Sequence, residues 1–398
     1  MAAHTERLEP VGGPVLTKPF KALAALAAVA MALVLWRFIV GLGPATALTD
    51  GYPWGTWKVF NVIVLTALAS GGYATAILVY VLNKGQYHPL ARTAILTSAL
   101  GYTAGVLALG VDIGRPWNFW RLAFVWHWNI HSVLLEVAIC ISVYLIFLWL
   151  EVSPPALEEW RKKPEGTRLH RLAAWVTPKL EAAYPFIVAA AITLPSMHQS
   201  SLGSLFLVSG PRIHPLWQTP LLPLLFLLSC WFLGYACVVI VSLLSSLAWR
   251  RRLETPMLAP LSKVMAYVML LFVGVRLLDV AVRGELWRAF AFDLYGVLFL
   301  AEAALLTAAA ALLLDRGKRE NPGTLLLLAM LVAVAGGLYR LDASLIAFMP
   351  GSNWSYFPSV VELTITLGFI ALAVLAYLYA VKRYPILPAP GVRVKTTS

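Results

Sequence analysis

Along the 398-residue chain, long apolar stretches alternate with short segments marked by proline, glycine and charge. Crossing a hydrocarbon core of ~30 Å at ~1.5 Å per residue takes about twenty apolar residues in helix. Runs of that order occupy about 20–41, 57–82, 91–111, 129–150 and 179–198, then about 221–248, 261–282, 289–314, 323–346 and 359–381. The pattern predicts an all-α polytopic membrane protein of ten transmembrane helices. It divides the chain into a cytoplasmic N-terminal segment (1–19), a transmembrane domain (20–381) and a cytoplasmic C-terminal tail (382–398). The stretch from Val152 to Pro178, opening on Ser153, Pro154 and Pro155, reads as a loop, and no loop is long enough to be a separate domain.

Composition agrees, since the chain is 60% hydrophobic and 13% charged, whereas soluble domains carry about 25% charged residues. A single soluble core is excluded. The net charge of +12 would suit nucleic acid, but the basic residues sit in short loops between apolar runs. Roughly 22 of the 31 lysines and arginines fall on the side holding both termini, among them Arg161, Lys162, Lys163, Arg250, Arg251, Arg252, Lys318 and Arg319. Positive loops face the cytoplasm, so both termini are predicted there. The first apolar run is too long for a signal-peptide core and has no A-x-A site, which reads as a retained helix. Tyr52, Trp54, Trp117, Trp120, Trp126, Trp128, Trp217, Trp354 and Tyr356 populate the opposite loops as an interfacial belt. Cys140, Cys230 and Cys237 lie within apolar runs with no CxxC spacing, as packing residues do.

Ionisable residues within or at the ends of the runs gather toward the non-cytoplasmic half: Asp112, Arg115, His131, Glu136, His198, Arg276, Asp279, Asp293, Arg340, Asp342 and Glu362. A charge in hydrocarbon costs at least ~2.5 kcal/mol, so such groups are expected to face the bundle interior and pair. The set predicts a polar site near the outer face with a proton route leading inward. Glu136, seven residues into the fourth run among leucines and valine, is expected to be buried and able to exchange protons; the alternative is a carboxylate held by an arginine. The stretches ending SVLLE and GVLFLAE, the second at Glu302, look loosely alike and hint at two related four-helix bundles. In PSMHQSSLGS, Pro195 is expected to break the fifth helix, leaving His198 beside Gln199, Ser200 and Ser201 to hold a carbonyl or hydroxyl of a small ligand. A satisfied interfacial histidine is the plainer alternative. Asp112 to Asn118 brings an acid, a base and an aromatic together, which suits a helix cap, a quinone head or a docked protein equally. For b-type haem, His4, His88 and His170 lie on the cytoplasmic side, and His127 and His131 would share one helical face. Only His131 with His198 is left as an axial pair.

The strings GGPVLTKP, GYPWGTW, GGYATA, NKGQYHPL, DIGRPWN, NIHSVLLE, PSMHQSSLGSL, HPLWQ, YFPSVVEL and PILP resemble the NrfD and polysulfide reductase membrane-subunit family, within it the hydrogenase-2 type. The resemblance covers nearly the whole chain. It implies ten helices in two four-helix bundles with flanking helices, in the bacterial inner membrane. It further implies a quinone substrate, menaquinone or ubiquinone, and no haem, iron–sulfur cluster or metal in this chain, despite an inherited label of b-type cytochrome. The implied partners, on the periplasmic side, are a ferredoxin-like [4Fe-4S] subunit and the large and small subunits of a [NiFe] hydrogenase. Matching strings make Glu136 the proton-transfer acid, and His198, Gln199, Asp112 and Arg115 quinone-site candidates. Arg92 and Tyr102 would extend a proton path inward. Pro116 after Arg115, and Trp126-His127-Trp128 in the next loop, depart from the pattern and point to a docking surface tuned to another partner. The leading reading is a quinone-reactive subunit exchanging electrons with an external iron–sulfur partner, coupled to proton movement. A haem b cytochrome, the quinol-oxidising subunit of another periplasmic oxidoreductase, and a secondary transporter are the alternatives.

Overall fold

A computed structural model describes residues 8–388. Among them, ten helices are long and apolar enough to cross a membrane. In chain order they are α1 (Lys18–Val40), α2 (Thr56–Val81), α3 (Ala91–Asp112), α4 (Val133–Val152) and α5 (Arg168–Leu207), then α6 (Leu222–Ala248), α7 (Thr255–Val282), α8 (Leu294–Leu314), α9 (Pro322–Ile346) and α10 (Val360–Arg383). The all-α fold matches the sequence pattern span for span. Much of the predicted N-terminal segment and tail, including His4, lies outside the described residues.

Polar side chains at the run edges start several helices. Ser132, Thr167, Asp293 and Asn321 each accept a backbone N–H from the first turn, and Ser359 with Glu362 forms a reciprocal capping box. The chain ends meet where β1 (Leu8–Glu9) pairs antiparallel with β2 (Leu387–Pro388). Arg251 clamps this ribbon by donating to the Pro388 and Pro10 carbonyls at 2.7 and 3.3 Å. Both described ends therefore share one face, called proximal below; the other is distal.

Helices α2–α5 and α6–α9 pack as two four-helix groups, while α1 and α10 pair with each other and lie against α3. The most enclosed helices are α2 and α6, whose crossing joins the two groups at Gly71 and Gly234. Small residues there let backbones approach, which is how helices associate where no hydrophobic force separates helix from lipid. On the distal face the loops interlock. Trp54 and Tyr52 donate to the Ser344 and Phe348 carbonyls at 2.8 and 3.0 Å, and Ile213 bridges to Phe348. Trp217 is buried in the core. These three aromatics thus serve packing rather than a belt, whereas Trp117, Trp120 and Trp126 are exposed. The cysteines are free, Cys140 and Cys230 fully buried.

Three boundaries differ from the sequence expectation. The fourth helix starts at Val133, because Ser132 caps it and Asn129 turns the preceding residues by accepting the His131 N–H. The expected loop after Val152 is largely helical, with a short helix at Pro154–Arg161 before α5 begins. Finally, α5 runs unbroken for 40 residues through Pro178, Pro185 and Pro195. Each proline forfeits one backbone bond, whereas unwinding within apolar surroundings would strand several.

Candidate functional site

Inside the first bundle, the unbroken α5 carries His198 and Gln199 into the core, both fully buried. Gln199 Nε2 donates to Tyr102 Oη at 3.1 Å and to Thr66 Oγ1 at 3.2 Å, and Ser70 Oγ lies 3.3 Å from the same tyrosine oxygen. The Tyr102 ring meets Tyr144 edge-on at 4.8 Å and His198 at 5.8 Å. Neither His198 ring nitrogen reaches hydrogen-bond geometry, although the Val137 carbonyl is nearby, and Gln199 Oε1 and Tyr144 Oη are also unpaired. Buried polar atoms normally find partners, so the spare valences of this nest leave places for water or another polar group.

Glu136 is not buried. With α4 starting late, it falls in the first helical turn, exposed on the surface of the chain, where it accepts a hydrogen bond from Ser201 Oγ at 2.6 Å. That contact ties it to the face of α5 one turn distal of His198. Among the described residues no arginine holds it. Its expected counterpart Glu302 lies deeper in α8 and is fully buried, so the two acids are not equivalent.

Asp112 and Arg115 do not pair. Asp112, buried at the end of α3, accepts from Trp57 Nε1 at 2.7 Å and pairs with Lys58 at 2.8 Å, while Arg115 is exposed on the loop. Arg92, ten residues before Tyr102 on α3 and so about 15 Å away, forms an ion pair with Glu158 at 2.7 Å on the proximal side. It lines a cavity of about 480 Å³ with Glu151, Glu158 and Glu181. A second cavity, about 510 Å³, lies at the distal face beside Gln218, Thr219 and Arg283. Neither is lined by His198, Gln199 or Glu136. Of the predicted set, the structure thus joins His198, Gln199 and Tyr102, with Glu136 at their distal edge, and separates Arg92, Asp112 and Arg115 from them.

Glu362, Asp293, Asp279 and Arg340 of the predicted outer cluster are held by structural contacts. Glu362 caps α10 while accepting from Ala47 N and Tyr356 Oη, Asp293 caps α8, and Asp279 binds Thr219 and Arg283. Arg340, fully buried, reaches across the seam between bundles to the Ile63 carbonyl on α2 at 2.8 Å and, on α6, to the Phe226 carbonyl at 2.6 Å and Ser229 at 3.1 Å.

The family model described as "Polysulphide reductase, NrfD" matches residues 44–347, from ahead of α2 to the end of α9. The chain belongs to the NrfD family. It is 36% identical over 384 residues to the "Probable Ni/Fe-hydrogenase 2 b-type cytochrome subunit" of Escherichia coli, covering 96% of this chain and 95% of that one. It is also 32% identical over 176 residues to the "Menaquinone reductase, integral membrane subunit" of Nitratidesulfovibrio vulgaris, covering 44% and 40% of the two chains. With "Protein NrfD" of Escherichia coli it shares 26% identity over 182 residues, 44% of this chain and 54% of that one. The family match spans both bundles and leaves out α1 and α10, the flanking pair.

The haem that one relative's name implies can be tested on this NrfD-family chain. Membrane redox subunits often hold b-type haem between two histidines on facing helices. His127 meets Trp120 edge-on and Trp126 at a tilt, His170 Nδ1 meets proximal carbonyls, and His214 lies on the loop before α6. Neither His127 nor His131 is on α4. His131 is exposed five residues before Glu136, whereas His198 lies three residues inward of Ser201, an offset of about 12 Å along the bundle. The described histidines do not fit that arrangement.

Sequence reasoning missed Lys58, Trp57 and Tyr144 as partners, and read Ser201 as a ligand contact beside His198 rather than as the donor to Glu136. Ser201 had a signal, being three residues after His198 and hence one helical turn on. The contacts of Lys58 and Trp57 with Asp112 are long-range, and nothing local announces them.

Proposed function

We propose that the chain is the quinone-reactive membrane subunit of a hydrogenase-2-like respiratory complex. It exchanges electrons between a periplasmic iron–sulfur partner and menaquinone or ubiquinone in the inner membrane, with both termini in the cytoplasm. The partner is a ferredoxin-like [4Fe-4S] subunit joined to the large and small subunits of a [NiFe] hydrogenase. The names of the relatives support this reading, and so does the exposed aromatic stretch Trp117–Trp126 at the distal face, a surface suited to an extrinsic protein.

The observation that carries the reading is the nest that His198 and Gln199 form around Tyr102, where the unpaired His198 ring and Tyr144 hydroxyl are free to donate to the oxygens of a quinone head. Reducing a quinone to quinol takes two electrons and two protons, so the site must also exchange protons. Glu136, hydrogen-bonded to Ser201 at the distal edge, is positioned to relay them. Because it is exposed, Glu136→Gln should alter stability by under ~0.5 kcal/mol. It should nevertheless slow hydrogen-dependent quinone reduction and the accompanying proton movement in membrane vesicles. Unchanged rates of both would remove Glu136 from the reaction.

A further inference from the structure

The second bundle encloses a polar group that the quinone reading does not use. Glu302 on α8 and Asp342 on α9 are both completely buried, and Asp342 lies within hydrogen-bonding reach of Glu302. Arg276 Nη1 donates to Glu302 Oε2. The guanidinium is walled by the rings of Phe299, Tyr339 and Trp217, with centroids 4.3, 4.9 and 5.4 Å away. Neither oxygen of Asp342 receives a donor from the protein, and Glu302 Oε1 has none either. On the donor side, Arg276 Nη2, Tyr339 Oη and Trp217 Nε1 are buried and unpaired. The other charges nearby are committed elsewhere: Asp279 on α7 is bound to Thr219 and Arg283, and Arg340 on α9 faces the carbonyls of α2 and α6.

Two carboxyl groups in contact, one arginine between the rings and no other counter-charge leave an excess of one negative charge if both acids ionise. Apolar surroundings make such an excess expensive, and like-charged carboxylates in contact relieve it by binding a proton. The spare donors and acceptors match the needs of internal water. From this geometry we infer that Glu302 and Asp342 share one proton, forming with Arg276, Tyr339 and Trp217 a hydrated proton-holding site inside the second bundle, separate from the His198 nest. Its ligands are a proton and water. The inference does not depend on quinone chemistry.

Charge counting provides the test. With a shared proton, either Asp342→Asn or Glu302→Gln leaves one carboxylate facing Arg276, so the site stays neutral. The full chain in lipid nanodiscs, studied by infrared difference spectroscopy in H₂O and D₂O, should then lose one protonated-carboxyl band in each single variant with its carboxylate count unchanged. Heat denaturation of the singles should stay near wild type. The double variant, which strands the arginine, should be sharply less stable. If each single variant instead loses one carboxylate and no protonated carboxyl, both acids are ionised and the inference fails. Should a variant not fold, carboxyl-¹³C labelling of aspartate and of glutamate in the unmodified chain reads the same band. A band that exchanges with D₂O, shifts on either label and persists in Glu151→Gln, which removes the buried acid at the end of α4, supports the site, and the absence of such a band overturns it.

Discussion

Adding one methyl group at Gly234 tests the seam on which both bundles depend. A Cβ there would lie 2.9 Å from the Ser70 carbonyl carbon and 3.0 Å from Gly71 N and Ser70 O, all backbone atoms of α2. Ordinary carbon contacts sit at ~3.5–4.0 Å, so α2 and α6 must part by roughly 0.5–1 Å. Overpacking of this kind costs ~1–3 kcal/mol, while replacing glycine by alanine in a helix returns up to ~1 kcal/mol. Gly234→Ala should therefore destabilise by ~1–2 kcal/mol. At Gly274, exposed on α7, a Cβ meets nothing within 4 Å, and Gly274→Ala should be neutral or slightly stabilising. Unfolding of both variants in mixed detergent micelles, followed by tryptophan fluorescence, gives the comparison. Equal shifts would show that the close crossing of α2 and α6 does not govern stability.

Trp57→Phe removes the 2.7 Å hydrogen bond to buried Asp112 and should cost ~1–3 kcal/mol in thermal unfolding; no loss would mean that Lys58 alone satisfies the acid. His214, on the distal loop, has its pKa lowered from 6.5, first by burial, against the opposing pull of Asp293. A base depressed in the fold binds fewer protons there than when unfolded. Its contribution is therefore complete above about pH 6.5 and falls away as pH drops from there through the lowered folded value. The melting temperature should decline across that window, and His214→Gln should flatten the decline. Arg92 and Glu158 are 32% and 45% exposed, so Glu158→Gln should cost under ~1 kcal/mol in the same unfolding assay, and a larger loss would mark that ion pair as a structural anchor.

What the sequence made legible was whatever is written locally. Twenty-residue apolar runs specify spanning helices regardless of partners. The depth of a residue was legible only where its helix ended as expected. Moving the start of α4 from 129 to Val133 brought Glu136 from the interior to the surface, and extending α5 past Pro195 took His198 from a helix end to the core. Both errors have one cause: in lipid, the choice between turn and helix is set by caps and by backbone satisfaction rather than by the hydropathy of single residues. Pairing was the least legible. Asp112 chose Lys58 and Trp57 from a neighbouring helix over Arg115 three residues away, because the chain turns outward after α3 and leaves the arginine in solvent.

The buried charges follow the irregular turns of the helices. In α2, residues Val59–Val64 widen into a π turn, and Ile63 within it offers its carbonyl to Arg340; at the end of α9 another π turn begins at Asp342. Such turns recur where helices host function, since they displace carbonyls from the regular ladder. Here the α2 turn supplies the Ile63 carbonyl, which with the Phe226 carbonyl of α6 makes a socket of main-chain oxygens for one arginine, where an acid would have neutralised it. Among the described residues the positive charge of Arg340 therefore stands at the seam between the two polar nests without a carboxylate of its own, while Arg276 pairs with Glu302 in the second nest. Neutral polar groups around His198 on one side and a balanced acid–base group on the other are then what an apolar interior tolerates, because either nest with a further fixed cation would add repulsion to Arg340.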